Sequence, residues 1–299
     1  MSLKILVLGS TGFVGRNIAE CLTGEFTLIR TSRDQTQVSN DVVYFDLFNK
    51  ESWQQIIDQK PDIIINSAAY GVVKLQQDLD PMYKINYFLI SEFHQSLVMN
   101  NCSPYWMQIG TAFEYDLSGD AIDEQTPCLP KTHYGISKLM MSNFLQSQAE
   151  KNNFTILRPF GMFGKYEDGS KFFPYLINAQ KTKNLIDLSP GTQQRDYFYV
   201  KDLGLFIKDI LLQKTYNQLP PVMNLGSGGA LSFRDYASIL QDEIPGFDPS
   251  LWNWGKVAFR KGESEMFYSA STIGSSFGFK VSPLRDGFKE TANYYLNIV

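Results

Sequence analysis

Gly9-Ser10-Thr11-Gly12-Phe13-Val14-Gly15 decides the fold, because of what stands on either side of it. Before it runs Leu3-Lys4-Ile5-Leu6-Val7-Leu8, almost wholly apolar and free of glycine and proline. That pattern predicts a strand buried on both faces, as in a parallel sheet. After it runs Arg16-Asn17-Ile18-Ala19-Glu20-Cys21-Leu22, helical in composition, with Gly24 placed to end the helix. Strand, glycine turn and helix in that order make a dinucleotide site. The glycines permit the tight turn, let a pyrophosphate approach the backbone and let the helix pack close to the strand. The helix N-terminus adds N–H groups and the positive end of a dipole. Three glycines alone describe any βα turn; the flanking segments select the dinucleotide reading.

Further strands are predicted at Phe26-Thr27-Leu28-Ile29, Val42-Val43-Tyr44-Phe45, Ile63-Ile64-Ile65, Tyr105-Trp106-Met107-Gln108-Ile109 and Phe154-Thr155-Ile156-Leu157, with helices near 50–59, 82–100 and 133–151. The alternation implies right-handed βαβ units and a Rossmann-type, doubly wound α/β fold. Beyond about residue 165 prolines punctuate shorter segments, among them Pro174, Pro190, Pro220 and Pro245, as in a smaller lobe. The expected division is a dinucleotide-binding domain over 1–165, rejoined by about 195–228, and a mainly substrate-binding lobe over 166–299. Helix 133–151 has more apolar positions than one buried stripe needs. It is either deeply buried or meets another subunit, and a homodimer is expected.

The bulk composition excludes several classes. A net charge of −4 without a basic cluster argues against nucleic acid. No apolar run approaches the roughly 20 residues of a spanning helix, and the first apolar run ends in the glycine turn, so neither membrane span nor signal peptide is expected. Three scattered cysteines fit reduced thiols in a cytoplasmic protein. Two histidines leave little for a metal site, and none is expected.

Tyr134-Gly135-Ile136-Ser137-Lys138 puts a phenol and an ammonium on one helical face. A tyrosine titrating near pH 10 is a poor acid or base at neutrality. A lysine beside it, with a positive nicotinamide ring, is expected to lower that value. Thr111 closes the strand that ends Ile109-Gly110, where a hydroxyl could polarise a carbonyl or cap a turn.

Together these residues resemble the extended short-chain dehydrogenase/reductases, the nucleotide-sugar epimerases, dehydratases and ketoreductases. Gly9, Gly12 and Gly15 match the glycine loop, and Thr111, Tyr134 and Lys138 the catalytic triad. Asp46 matches the adenine contact; Asn66-Ser67-Ala68-Ala69, Asn86, Leu157-Arg158-Pro159-Phe160-Gly161-Met162-Phe163-Gly164, Arg195-Asp196-Tyr197-Phe198-Tyr199-Val200-Lys201-Asp202 and Asn224-Leu225-Gly226-Ser227 match in order. The resemblance makes Tyr134 the acid–base residue, Thr111 the partner of the reacting oxygen and Lys138 the ribose anchor. It puts the coenzyme on Gly9, Thr11, Gly12, Phe13, Val14 and Gly15, on Arg30 and Arg33, on Asp46 and Leu47, and on Ala68 and Ala69. Substrate contacts fall on Thr111, Phe113 and Arg195, and on Arg260 and Lys261, which read equally well as surface charges.

Three departures narrow the class. Ala112 and Phe113 stand where 4,6-dehydratases of this family carry an Asp-Glu pair, which disfavours water elimination. Gly161 replaces an asparagine that many relatives use on the sugar nucleotide. The second strand ends in Arg30-Thr31-Ser32-Arg33 rather than in the acid of an NAD site, which favours NADP over NAD. The C-terminal half is similar to the CDP-abequose and CDP-paratose synthase group, and the Arg30 region to GDP-fucose synthase. The expected activity is NADPH-dependent reduction of the 4-keto group of a nucleotide-linked deoxy sugar. The alternatives are an NAD-dependent nucleotide-sugar 4-epimerase and a non-catalytic NADP sensor.

Overall fold

Lys4–Leu8 forms β1, and Ile5, Leu6, Val7 and Leu8 are closed to solvent, as a strand covered on both faces requires. The computed structural model describes residues 2–73, 75–148, 153–258 and 264–298. The chain divides into one unit of Met1–Asp116, Pro127–Pro159 and Leu203–Met223, and another of Leu117–Thr126, Phe160–Asp202 and Asn224–Val299.

The first unit continues with α1 (Phe13–Leu22), β2 (Thr27–Ser32), β3 (Val42–Tyr44), α2 (Glu51–Gln59), β4 (Ile63–Asn66), α3 (Leu79–Tyr83), a π-helical turn over Lys84–Phe88, α4 (Leu89–Met99) and β5 (Tyr105–Ile109). After β6 (Ala121–Ile122), which belongs to the second unit, the chain returns with α5 (His133–Ser147) and β7 (Phe154–Pro159). The strands lie side by side as β7-β5-β4-β1-β2-β3, parallel at every pairing. The order reverses between β1 and β4, and such sheets bind ligands at the carboxyl ends beside that switch. Register puts Leu8 opposite Asn66, so the loops after β1 and β4 leave the sheet together.

One apolar core covers this sheet: Leu6, Ile64 and Trp106 of the strands meet Trp53 of α2, Phe93 of α4, and Met141 and Leu145 of α5. Phe93 sits edge-on to both Phe45 and Trp53, with centroids 4.9 and 5.5 Å apart. Burying each such side chain stabilises the fold by roughly 1.5–3 kcal/mol. Helix α5 is not covered all round, since Ile136 is exposed and Leu139, Met140 and Phe144 are half-buried.

The second unit has short strands: β8 (Gly161–Phe163), then, after α6 (Phe172–Thr182), β9 (Ile186–Leu188), β10 (Gln194–Arg195) and β11 (Tyr197–Tyr199). Helix α7 (Val200–Leu212) crosses into the first unit at Leu203, and β12 (Val222–Leu225), the seventh strand of the large sheet, beside β7, leaves it after Met223. There follow β13 (Leu231–Ser232), α8 (Phe233–Gln241), β14 (Trp252–Trp254), β15 (Met266–Ser269), α9 (Ile273–Ser276) and α10 (Leu284–Asn297). A small sheet runs β13-β10-β15-β6, while β8 pairs with β11 and β9 with β14. Its core is aromatic: Phe163 lies 4.4 Å from Phe288 and 5.2 Å from Phe173, centroid to centroid. The pairing of β6 with β15 carries Leu117–Thr126 into this unit, a segment that the sequence division leaves in the first domain.

Candidate active site

The chain leaves β1 at Gly9 with φ +74, a backbone that L side chains rarely adopt, and a Cβ there would stand 2.7 Å from the Ala68 nitrogen. A Cβ on Gly15 would meet the Gly9 carbonyl oxygen at 2.2 Å, so α1 could not approach the turn with any larger residue. Gly12 is the N-cap of α1 and no side chain among the described residues caps that end, which suits the amides of Phe13, Val14 and Gly15 to an anion. Beside the turn lies a cavity of about 230 Å³. Gly9, Thr11, Gly12, Arg33, Asp46, Leu47, Ala68 and Ala69 all line it, with Tyr70 and Ile85. These residues fit a dinucleotide. Asn86, within the π-helical turn, fixes one wall: it accepts the Tyr70 N–H (2.8 Å) and donates to the Tyr70 carbonyl and the Ser137 hydroxyl (2.9 Å each).

Arg30 lies apart from Arg33. It lines a second hollow of about 410 Å³ with Ser10, Thr11 and Arg16, and its guanidinium is 3.9 Å from the Asp41 carboxylate. Arg30 lies within β2, whereas Arg33 follows the end of that strand. Asp34, the nearby carboxylate, is committed to its own turn, accepting from the Thr36 N–H (2.9 Å) and hydroxyl (2.6 Å) and from Gln37 (3.3 Å).

At the end of β5 the structure brings Thr111, Tyr134 and Lys138 together. Lys138 Nζ, buried, donates to the Ile109 carbonyl at 2.6 Å, and the Thr111 side chain is hydrogen-bonded to the Tyr134 phenol. The Thr111 hydroxyl oxygen accepts the Phe113 N–H (3.3 Å), while Phe113 itself is exposed. Tyr134 departs from the sequence expectation. Burial pushes its phenol above the ordinary tyrosine value, the Glu114 carboxylate adds to the rise, and the Thr111 bond opposes it. Burial also lowers Lys138 to about 8, against the pull of Glu114. Desolvation governs both groups.

Glu114, Arg158 and Ser142 escaped the sequence reading as site residues. Glu114 is fully buried and accepts the Thr111 N–H (2.9 Å), the Ser142 hydroxyl (2.6 Å) and Arg158 Nε (2.9 Å). Arg158 in turn stacks on Tyr115, 4.5 Å from its centroid. The available signal was Thr111-Ala112-Phe113-Glu114, the spacing of a capping box, which forms here.

Of the expected substrate contacts, Arg195 lies in β10 of the second unit. It donates to the carbonyls of Gln194 (2.7 Å), Ser264 (2.6 Å) and Glu265 (3.2 Å), and stacks on Phe267. Arg260 and Lys261 lie outside the described residues. At Gly161 a Cβ would meet the Asp196 carbonyl and the Tyr197 ring at 2.6 Å, so the chain entering β11 occupies the space an asparagine there would need.

The sequence profile of the NAD dependent epimerase/dehydratase family matches residues 5–226. CDP-abequose synthase of Yersinia pseudotuberculosis is 23% identical over 67% of this chain and 70% of its own. The dTDP-6-deoxy-L-talose 4-dehydrogenase (NAD(P)(+)) of Kitasatospora kifunensis is 24% identical over 80% and 79%. The UDP-glucose 4-epimerase of Thermus thermophilus, solved as a complex with NAD, superposes with a TM-score of 0.84 over 99% of this chain and 100% of that one. At 18% identity that likeness speaks for the fold. Among the described residues no helix is long and apolar enough to cross a membrane.

Proposed function

Because the chain belongs to the NAD dependent epimerase/dehydratase family, we propose that it is an NADPH-dependent reductase of the 4-keto group of a nucleotide-linked deoxy sugar. The observation that carries this reading is Arg33 on the wall of the coenzyme cavity, with Asp34 turned to its own cap. A guanidinium there pairs with a 2′-phosphate, where an acid would repel it. A reductase consumes reducing equivalents; an epimerase returns its hydride and has no need of NADPH. A CDP sugar and a dTDP-6-deoxy sugar appear in the names of the two relatives, which supports the substrate class.

NADPH bound along the Gly9–Gly15 turn supplies the hydride. The chain supplies the rest. Thr111, its hydroxyl oxygen already held by the Phe113 N–H, gives its proton in a hydrogen bond to the sugar carbonyl. Tyr134 releases its proton to that oxygen as it becomes an alkoxide. A phenol held high is protonated at neutral pH, the form an acid needs. Lys138, four residues along α5 from Tyr134, anchors the ribose. No Asp-Glu pair follows Thr111 to remove water.

The test is oxidation of NADPH, with NADH in parallel, against 4-keto-6-deoxy sugars linked to CDP, dTDP, GDP and UDP. Turnover with one base and a preference for NADPH is expected. Retained NAD in the purified protein, with C4 epimerisation and no added reductant, would replace the reductase by an epimerase.

A further inference from the structure

The ion pair under Thr111 is costly to keep. Glu114 and Arg158 have side chains 0% and 3% exposed and lie 2.8 Å apart. Taking two charges out of water is repaid only by excellent geometry, and an apolar pair of similar volume often serves stability as well. What distinguishes this pair is its other partners. Glu114 Oε1 takes the Thr111 N–H, and Oε2 takes the hydroxyl of Ser142, one turn beyond Lys138 on α5. Room for the carboxylate comes from Gly110, where a Cβ would stand 2.6 Å from Oε1.

We infer that Glu114 is a positioning residue: its carboxylate clamps the Thr111 turn to α5 and so sets the separation of the Thr111 hydroxyl from the Tyr134 phenol. Lys138, bonded to the Ile109 carbonyl, ties α5 to the end of β5, the strand that leads into that turn. Arg158 holds the carboxylate from β7 with both Nε and Nη2, so it cannot swing toward Lys138. The inference rests on Tyr134 being the acid of the proposed reaction.

The ionisable groups around this clamp are Tyr134 and Lys138 on α5, Tyr115 on the turn, Arg158 on β7 and Cys128 in the loop before α5. Glu114 is the anion acting on the phenol, and removing it makes Tyr134 easier to ionise.

Ser142→Ala cuts only the tie to α5 and leaves the ion pair whole. It is expected to lower kcat about 10-fold with both KM values within about twofold, since misplacing a reacting group taxes the transition state more than binding. It is also expected to speed hydrogen exchange at the Thr111 amide, read by NMR without substrate. Glu114→Gln, if it folds, should move the alkaline limb of kcat/KM to lower pH. A purely structural pair would change the yield of folded protein and leave kcat per folded Ser142→Ala site alone. Wild-type kcat in folded Ser142→Ala, or unchanged exchange at Thr111, overturns the inference. Absence of turnover in the wild type overturns instead the proposed function, and the exchange result still decides the clamp.

Discussion

At Tyr134 and Lys138 burial raises the phenol and lowers the ammonium. Both shifts disfavour the charged form, so the phenol keeps its proton at neutral pH. Tyr134→Phe keeps the ring and removes only the proton donor. It should lower kcat by about 10²–10⁴-fold, with coenzyme affinity nearly unchanged in a fluorescence titration; an active phenylalanine variant would exclude Tyr134 as the acid. Arg33 and Arg30 make a second comparison. Arg33 lines the cavity that Asp46 and Ala68 line; Arg30 faces another hollow and Asp41. A charge-assisted hydrogen bond is worth about 1.5–3 kcal/mol, so Arg33→Ala should cut the preference for NADPH over NADH by about 10–100-fold. Arg30→Ala should leave that preference nearly as it is. If steady-state kinetics with the two coenzymes ranks the variants the other way, the 2′-phosphate sits in the Arg30 hollow.

Helix α5 carries Tyr134 and Lys138, and its start is fixed by Thr132, whose side chain accepts the Gly135 N–H at 3.1 Å. Thr132→Ala should cost about 1 kcal/mol in denaturant unfolding; no change would mean that packing rather than the cap holds the helix start. Elements of this kind were readable in advance. β1, β4 and β5 are apolar runs because both faces of a parallel sheet are covered, and the helices between them carry the 3.6-residue period. The glycine turn was readable for the same reason, since its glycines are set by local spacing, whereas Thr111, Tyr134 and Lys138 were singled out by the family resemblance. Glu114 was visible only as half of a capping box, because its decisive partner, Arg158, is 44 residues away and local patterns do not encode such a pairing. The second unit was least legible. Its strands β6, β10 and β13 are two residues each, too short for any period, and β6 finds its partner only at Tyr268 and Ser269 of β15. The high phenol of Tyr134 was unreadable as well, since burial is a property of the folded surroundings.

For the molecule as a whole, pH dependence of stability comes from the groups whose proton affinity changes on folding. Lys138 and Glu167 act with opposite sign. Lys138 falls from 10.5 to about 8, so between those values the unfolded chain binds more protons and stability rises with pH. Its burial penalty is complete below that window. Glu167, in the second unit, is pushed from 4.5 up to about 8, first by burial and then by Asp168, with Lys171 opposing. Its Oε2 is closed off and has no hydrogen-bond partner among the described residues. Here the folded state binds more protons, so stability falls as pH rises from about 4.5 to 8, and the penalty is complete above it. The two windows meet near pH 8, so a measurement confined to acid and neutral pH sees Glu167 alone of the two. One proton contributes at most about 1.4 kcal/mol per pH unit, and Glu167 is only partly buried, so a loss of about 1–2 kcal/mol between pH 5 and 8 is the expected size. Glu167→Gln cannot ionise. Urea unfolding should give that variant a flatter profile across this range and greater stability than the wild type at pH 8, with the two converging near pH 5. Parallel profiles would mean that Glu167 ionises in the folded protein as readily as in the unfolded chain, with water or Lys171 reaching the oxygen that is closed off here.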